Sequence, residues 1–337
     1  MSYQWFIGID VSKQTLDITI LNNNEKKMYE QIVNSDQSIK SFLKKLVSEQ
    51  KIILQDCLFC LEHTGIYNSH FLKVMEEKKL GVCLESSVQI KQSGGLLRGK
   101  NDKVDSYRIA LYAFKNKEFL TLWQPERTVI RHLRRLSGIR ERLLNARKQI
   151  NNTIKEDKKF IDKESSAQMM RCCKQSIKAL EEDIKKTEEE IKKVIDNDEK
   201  LKELFLIIES VPGVGKITAT EIVINTNEFR KINDPRKYAC YSGVAPFEHT
   251  SGTSVRGKTR TSKKANMKAK SLLHMTALVA ARFSDDLREY YERKVAEGKN
   301  KMNVLNAVKN KIIHRIFACV NQKRLYEKNY KFCLVES

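Results

Sequence analysis

Four carboxylates stand where an acid is costly or conspicuous. Asp10 closes the apolar run that begins at Trp5, and Glu62 follows the apolar run 52–61 directly. Asp102 and Asp105, three residues apart, open a helical pattern and share one of its faces. Acids brought together at one edge repel unless a cation neutralises them. Mg²⁺, with Mn²⁺ as a substitute, is the hard oxygen-seeking ion that phosphoryl transfer uses in that role. Other uses of the same residues remain open from sequence. Asp102 can cap its helix with Asp105 as the partner three residues on, Asp10 can cap a turn, and Glu62 can pair with a lysine.

The elements that must position these acids alternate over the first 115 residues. Strands are expected at 5–10, Thr15–Ile20 and Lys27–Val33, then a helix at Ser35–Ser48 with Ile39, Phe42, Leu43 and Leu46 on one side. A strand at Ile52–Leu61, a helix at Tyr67–Lys78, a strand at Gly81–Leu84 and a helix from Asp102 to Phe114 complete the order, with a glycine-rich segment at 93–100 between the last two. Three strands as a meander, then helix and strand in alternation, is the order of an α/β RNase H-like, RuvC-like fold. In such a sheet the first and fourth strands are neighbours, which sets Asp10 beside Glu62.

From 126 to 205 the pattern becomes long helix. Leu136, Ile139, Leu143, Ala146 and Ile150, then Cys173, Ile177, Leu180, Ile184, Thr187, Ile191 and Val194, recur at threes and fours, as two helices of a coiled-coil hairpin would, internal or shared between protomers. The first of them carries arginines on one flank, Arg131, Arg134 and Arg135 among them, which suits phosphate contact. Residues 206–325 are expected to be mainly helical, with a short tail at 326–337. Ser210-Val-Pro-Gly-Val-Gly-Lys216 falls one glycine short of a nucleotide P-loop, since Ser210 stands where the first glycine belongs. It fits a helix-hairpin-helix turn, in which Gly213, Gly215 and Lys216 face a phosphate. Between Arg256 and Lys270 lie seven basic residues and no acid, including Arg256, Lys258, Arg260, Lys263 and Lys264, which reads as a nucleic-acid-contacting loop.

Composition agrees. The 337 residues hold 63 Lys and Arg against 42 Asp and Glu, a formal charge of +21 that points to a polyanionic partner. No apolar run is long enough to span a membrane, and no signal peptide is evident, so a prokaryotic cytoplasmic, nucleoid-associated protein is expected. The eight cysteines, Cys57 and Cys60 included, show no zinc spacing and read as reduced, mostly buried hydrophobes.

Several short motifs occur in a telling order: Ile7-Gly-Ile-Asp-Val-Ser-Lys13, Leu61-Glu-His-Thr-Gly65, Lys100-Asn-Asp-Lys-Val-Asp105, Val211-Pro-Gly-Val-Gly215, Tyr241-Ser-Gly-Val-Ala-Pro246, Ser251-Gly-Thr-Ser-Val-Arg-Gly257 and Ser262-Lys-Lys264. The ordered set resembles the DEDD-type transposases of RNA-guided insertion sequences, the bridge-RNA recombinases, over nearly the whole chain. His63, Ser106 and Ala265 depart from that pattern, standing for two alanines and a glycine. The resemblance implies a tetrad of Asp10, Glu62, Asp102 and Asp105 that binds metal, and a catalytic serine at Ser251. Residue chemistry alone does not rank Ser251 above Ser254 or Ser262, and leaves the roles of His63 and His249 open. The resemblance also implies donor and target DNA, a guide RNA, and homodimers that pair into tetramers; the coiled coil that separates the acids from the serine fits a composite site across protomers. Two other functions fit the residues: a metal-dependent endonuclease of the junction-resolvase kind with no serine nucleophile, and a non-catalytic nucleic-acid scaffold.

Overall fold

The structure, a computed structural model, describes residues 3–22, 25–93, 101–251, 255–262 and 265–328. The chain divides into two compact units, Met1–Pro125 and Glu126–Ser337.

The first unit is a five-stranded sheet, β1 (Trp5–Val11), β2 (Thr15–Asn22), β3 (Glu25–Val33), β4 (Cys57–Glu62) and β5 (Val82–Glu85), in the order β3-β2-β1-β4-β5. β1 runs antiparallel to β2 and parallel to β4, and β4 runs parallel to β5. This is the meander-then-crossover order expected from sequence. Alternation along the strands builds two separate cores. Ile7, Ile9, Ile18, Ile20, Phe59 and Leu61 point to α1 (Asp36–Ser48) and α2 (Ser69–Lys78). Phe6, Leu58, Cys60 and Cys83 point to α4 (Asp102–Lys115), through Ile109, Ala110 and Ala113.

Two boundaries differ from expectation. β4 begins only at Cys57, because Leu54–Asp56 makes a single 3₁₀ turn before the strand. A short helix, α3 (Ser87–Ser93), follows β5, where sequence placed none. Its seven residues are too few to show a period. The glycine-rich segment beyond Ser93 lies outside the described residues. Cys57, Cys60 and Cys83 are buried free thiols, and burial first pushes Cys57 and Cys83 up to about 12, so they are inert packing groups.

α4 lies on β1 at backbone contact. A Cβ added at Gly8 would sit 2.1 Å from the Ala110 nitrogen and 2.3 Å from the Ser106 oxygen. Beside it, Thr19 of β2 and Ser106 of α4 share a buried hydroxyl–hydroxyl bond of 2.8 Å. Ser106 therefore has a partner that an alanine there would leave unsatisfied.

The second unit begins with two long helices, α5 (Thr128–Phe160) and α6 (Lys163–Asp196), joined by a two-residue turn at 161–162. Arg140 to Glu188 at 2.6 Å and Arg147 to Glu181 at 3.5 Å fix them as antiparallel. Ile184 and Ile191 are buried along the expected seam, whereas Ile139 is 45% exposed. Ile130 and Leu133, earlier on the same helix, are fully buried. The expected boundary at 205/206 falls inside α7 (Glu199–Glu209). Ile130, Leu133, Ile191 and Ile195 of the long pair belong to the same core as Phe205, Ile222, Ile312 and Phe317.

Arg127 ties these parts together. Its guanidinium meets Asp198 at 2.8 Å and Glu228 at 2.6 Å, and Asp198 is itself the N-cap of α7. The Arg127 charge holds the Asp198 carboxyl below the ordinary carboxylate range.

The remainder is α8 (Lys216–Thr226), α9 (Pro235–Tyr241), α10 (Met267–Phe283), α11 (Asp285–Ala296), α12 (Lys301–Asn321) and a hairpin, β6 (Pro246–Ser251) with β7 (Val255–Thr261). The hairpin is a correction, because sequence reads 256–270 as a loop. β-Branched Val255, Thr259 and Thr261 favour a strand there, but the charged residues between them hide any apolar alternation.

Candidate active site

The sheet register places the acids. β1 and β4 pair up to Ile9 and Leu61, so Asp10 and Glu62 emerge side by side one residue later. The flanking pairs, Asp10 with Asp17 and Glu62 with Glu85, continue the line across four strands. All four acids fall on the face that α4 covers, by alternation from Gly8, Thr19, Cys60 and Cys83. The Gly8 contact brings the start of α4, with Asp102 and Asp105, over the same edge.

The capping use of Asp102 and Asp105 is excluded by the helix end itself. Asn101 is the N-cap of α4, and its side chain accepts from the Val104 amide at 2.8 Å. Asp102 and Asp105 sit in the first turn, and neither carboxylate makes the cap. The turn after β1 is likewise closed without Asp10, by Ser12 Oγ, which accepts from the Thr15 amide at 2.9 Å. Among the described residues Glu62 makes no ion pair; its backbone oxygen accepts from Asn68 at 3.0 Å. Asn101→Ala is expected to destabilise the first unit by about 1 kcal/mol in denaturant unfolding, and to lower any metal-dependent activity by loosening the turn that bears both acids.

The electrostatics register the convergence. Asp10 is pushed up to about 6, first by burial and then by Asp105, Asp102, Glu62 and Asp17. These are the three acids expected from sequence plus one. Among the described residues, however, no three His, Cys, Asp or Glu side chains already close on a single point at ligand distance. Like charges spread when nothing lies between them, and Asp105 leans to Arg108 at 2.9 Å. The donor set, carboxylate oxygens only, suits a hard divalent cation rather than zinc.

Asp17 and Glu85 were missed from sequence. Asp17 is 2% exposed and accepts from Tyr29 at 2.5 Å and from Gln31 at 3.1 Å. That bond, first, pushes the Tyr29 phenol up to about 12. Glu85 lies against Tyr112, which burial first and then Glu85 push up to about 12. Asp17 had one legible signal, an acid within an otherwise apolar β-strand; Glu85 had none before the register was known. His63 is exposed, and its amide donates to the Glu85 oxygen at 3.0 Å.

In the second unit the expected contacts separate. Gly213 has φ +84°, and an added Cβ would lie 2.6 Å from the Thr276 oxygen, so it is a packing glycine beneath α10. Gly215, the N-cap of α8, is open, with Lys216 beside it. Arg134 is held by Glu126 and by the Ile224 oxygen at 2.9 Å, whereas Arg131 and Arg135 are exposed. Ser251 ends β6 at the last pair of the hairpin ladder, opposite Val255. Ser254, Lys263 and Lys264, and the side chains of His249, Ser251, Arg256, Lys258 and Arg260, lie outside the described residues. Ala265 fills space that Gly243 leaves: its methyl would be 2.6 Å from a Cβ at Gly243, whose φ is +63°.

Comparison with known proteins decides the family. Residues 206–292 match the model described as Transposase IS116/IS110/IS902 family, and residues 7–157 match the DEDD transposase model of the IS110 type. The chain belongs to the IS110/IS116/IS902 transposase family. The pilin gene-inverting protein of Moraxella bovis is 21% identical over 96% of this transposase and 98% of its own length. The uncharacterized 44.8 kDa protein of insertion element IS116 from Streptomyces clavuligerus is 28% identical over 39% of this chain and 34% of its own. Among solved structures, T. thermophilus RuvC in complex with Holliday junction substrate covers 36% of this chain and 100% of that chain, at 12% identity and a TM-score of 0.29. Among the described residues no helix is long and apolar enough to cross a membrane.

Proposed function

We propose that this transposase cleaves and rejoins insertion-sequence DNA through a phosphoserine link at Ser251, with Asp10, Glu62, Asp102 and Asp105 as its metal-binding acids. The observation that carries the carboxylate half is Asp10, raised to about 6 by burial and then by Asp105, Asp102, Glu62 and Asp17, beside a helix end that Asn101 caps without these acids. A divalent cation, Mg²⁺ or Mn²⁺, would supply charge neutralisation at a DNA phosphate there. The β1–β4 register and the α4 contact at Gly8 hold the backbone that carries these acids, and on loading the side chains would close on the cation, Asp105 turning from Arg108.

The serine half rests on the placement of Ser251 at the end of β6 in a basic hairpin, and on the family's resemblance. The Ser251 hydroxyl oxygen attacks phosphorus, its proton passes to a base, and the displaced deoxyribose oxygen takes one up. A hydroxyl of the second strand then attacks the phosphoserine and releases the serine oxygen. The ester bond is conserved because water takes no part. Gly215, Lys216 and the exposed Arg131 and Arg135 are the amide and basic groups for DNA or a guide RNA. Assembly as dimers that pair into tetramers belongs to the same proposal.

Ser251→Ala is expected to abolish the covalent protein–DNA adduct seen by denaturing gel after incubation with element-end DNA, and to reduce rejoining below detection. If it cleaves and rejoins as wild type does, the carboxylates act alone, as in a metal-dependent resolvase.

A further inference from the structure

At the root of the β6–β7 hairpin, three nitrogen-bearing side chains gather with no acid among the described residues to balance them. Lys309 on α12 is 5% exposed. Its ammonium has one weak partner, the Asn306 side-chain oxygen at 3.4 Å, and the Asn306 amide group donates to the Val244 oxygen at 2.7 Å just before β6. Lys270 on α10 donates to the Thr261 hydroxyl at 2.9 Å, at the end of β7. His274, one turn further along α10, has a buried Nδ1 with no hydrogen-bond partner.

The three groups feel one another. Burial first, and the Lys270 charge second, push Lys309 below the ordinary lysine range. Burial first, and Lys309 second, do the same to His274. Lys268, two residues before Lys270, shows what an internal structural lysine looks like in this unit: Glu221 lies 2.8 Å away and Glu141 3.1 Å.

An unpaired buried ammonium is among the costliest groups a core can hold, and a methionine of similar length would fit without that cost. A second cation and an imidazole nearby raise the cost further. An anion seated among them adds an attraction to each group that offsets the burial cost and the mutual repulsion, and a phosphodiester oxygen suits two ammonium groups and a ring N–H.

We infer that Lys309, Lys270 and His274 form a phosphate-binding site that seats a DNA backbone phosphate at the root of the β6–β7 hairpin. Lys270 and His274, partly exposed, meet the phosphate first, with Lys309 beneath them. The choice of DNA rests on the proposed role of the hairpin in strand cleavage; the affinity for phosphate does not.

The test uses the full chain and two probes. Inorganic phosphate, added at ionic strength matched with chloride, is expected to raise the melting temperature of wild type. Lys309→Met is expected to melt higher than wild type without phosphate, since an unpaired charge is gone, yet to lose the phosphate response, while Lys309→Arg keeps it. Binding of Lys309→Met to element-end duplex DNA should fall about tenfold, with a salt dependence shallower by about one charge. Lys270→Met, at a less buried position, should lose the phosphate response in the same way.

A wild type that gains nothing from phosphate beyond chloride, or a Lys309→Met protein that responds as wild type does, overturns the site. A lost phosphate response with unchanged DNA affinity, or with a loss confined to single-stranded RNA measured alongside, overturns the assignment to DNA. Failure of wild type to form a phosphoserine adduct would count against the proposed function alone, because the phosphate response is read without it.

Discussion

Asp10→Asn is expected to reduce DNA strand cleavage by about a thousandfold, the loss of several kcal/mol of charge stabilisation at phosphorus, and in EDTA to make the protein more stable. The two effects have one cause. Asp10 is raised to about 6 by burial and by four neighbouring acids, so its charge opposes folding until a cation offsets it. The sign with pH follows from linkage. Below about pH 4 the Asp10 carboxyl is protonated both folded and unfolded, so the variant and wild type differ little on this account. Between about 4 and 6 the unfolded chain ionises there while the folded chain holds its proton, and wild-type stability falls relative to Asp10→Asn. Above about 6 the full difference is present, on the order of 1 kcal/mol once screening at this partly exposed group is allowed for. Denaturant melts of both proteins in EDTA from pH 4 to 8 measure it. Added Mg²⁺ should then stabilise wild type and leave the variant almost unmoved. A variant less stable than wild type across that range would mean that Asp10 makes a favourable contact in the fold, and the cation reading would fail.

Gly8→Ala should have the largest effect on stability of any single methyl in the first unit. The new carbon would meet backbone on all sides, 2.1 Å from the Ala110 nitrogen, 2.3 Å from the Ser106 oxygen and 2.7 Å from the Ala110 Cα. None of these can swing away as a side-chain tip can, so α4 must lift from β1 or β1 must bow. Overpacking of this kind costs about 3 kcal/mol or more, and it also parts Thr19 from Ser106. Denaturant unfolding of the variant reads that cost. The functional consequence is separate. Asp102 and Asp105 ride on the first turn of α4, so a shift of about 1 Å should lower cleavage about a hundredfold at a temperature where the variant is still folded. It should also return Asp10 toward an ordinary carboxylate pKa, which NMR titration can follow. Normal stability with normal cleavage would show that α4 is not what holds these acids over the sheet edge.

Much of this was open to a reader of the chain alone, because the signals were local. The strand order of the first unit follows from runs of alternating or continuous apolar residues with turns between them. The long helices announce themselves by seam residues such as Ile184 and Ile191, which are buried as their spacing requires. Asp10, Glu62, Asp102 and Asp105 could be singled out because each stands at the end or start of an element.

Other features needed the folded chain, since they depend on partners distant in sequence. The register alone aligns Asp17 and Glu85 with Asp10 and Glu62. Only the helix end shows that Asn101 does the capping and so leaves Asp102 and Asp105 for other work. A row of arginines looks uniformly basic until Arg127, Arg134, Arg140 and Arg147 find acids in space. The β6–β7 hairpin escaped periodicity because charged residues occupy the alternate positions that apolar ones mark in a buried strand. Lys309 is the extreme case. In sequence it is one lysine among many in a basic chain, and its burial is decided by the packing of α10 against α12. Sequence sets which groups are charged and which faces are apolar; tertiary structure decides which charges are neutralised, and the acids and lysines it leaves unbalanced are the groups on which the proposed cation and phosphate sites rest.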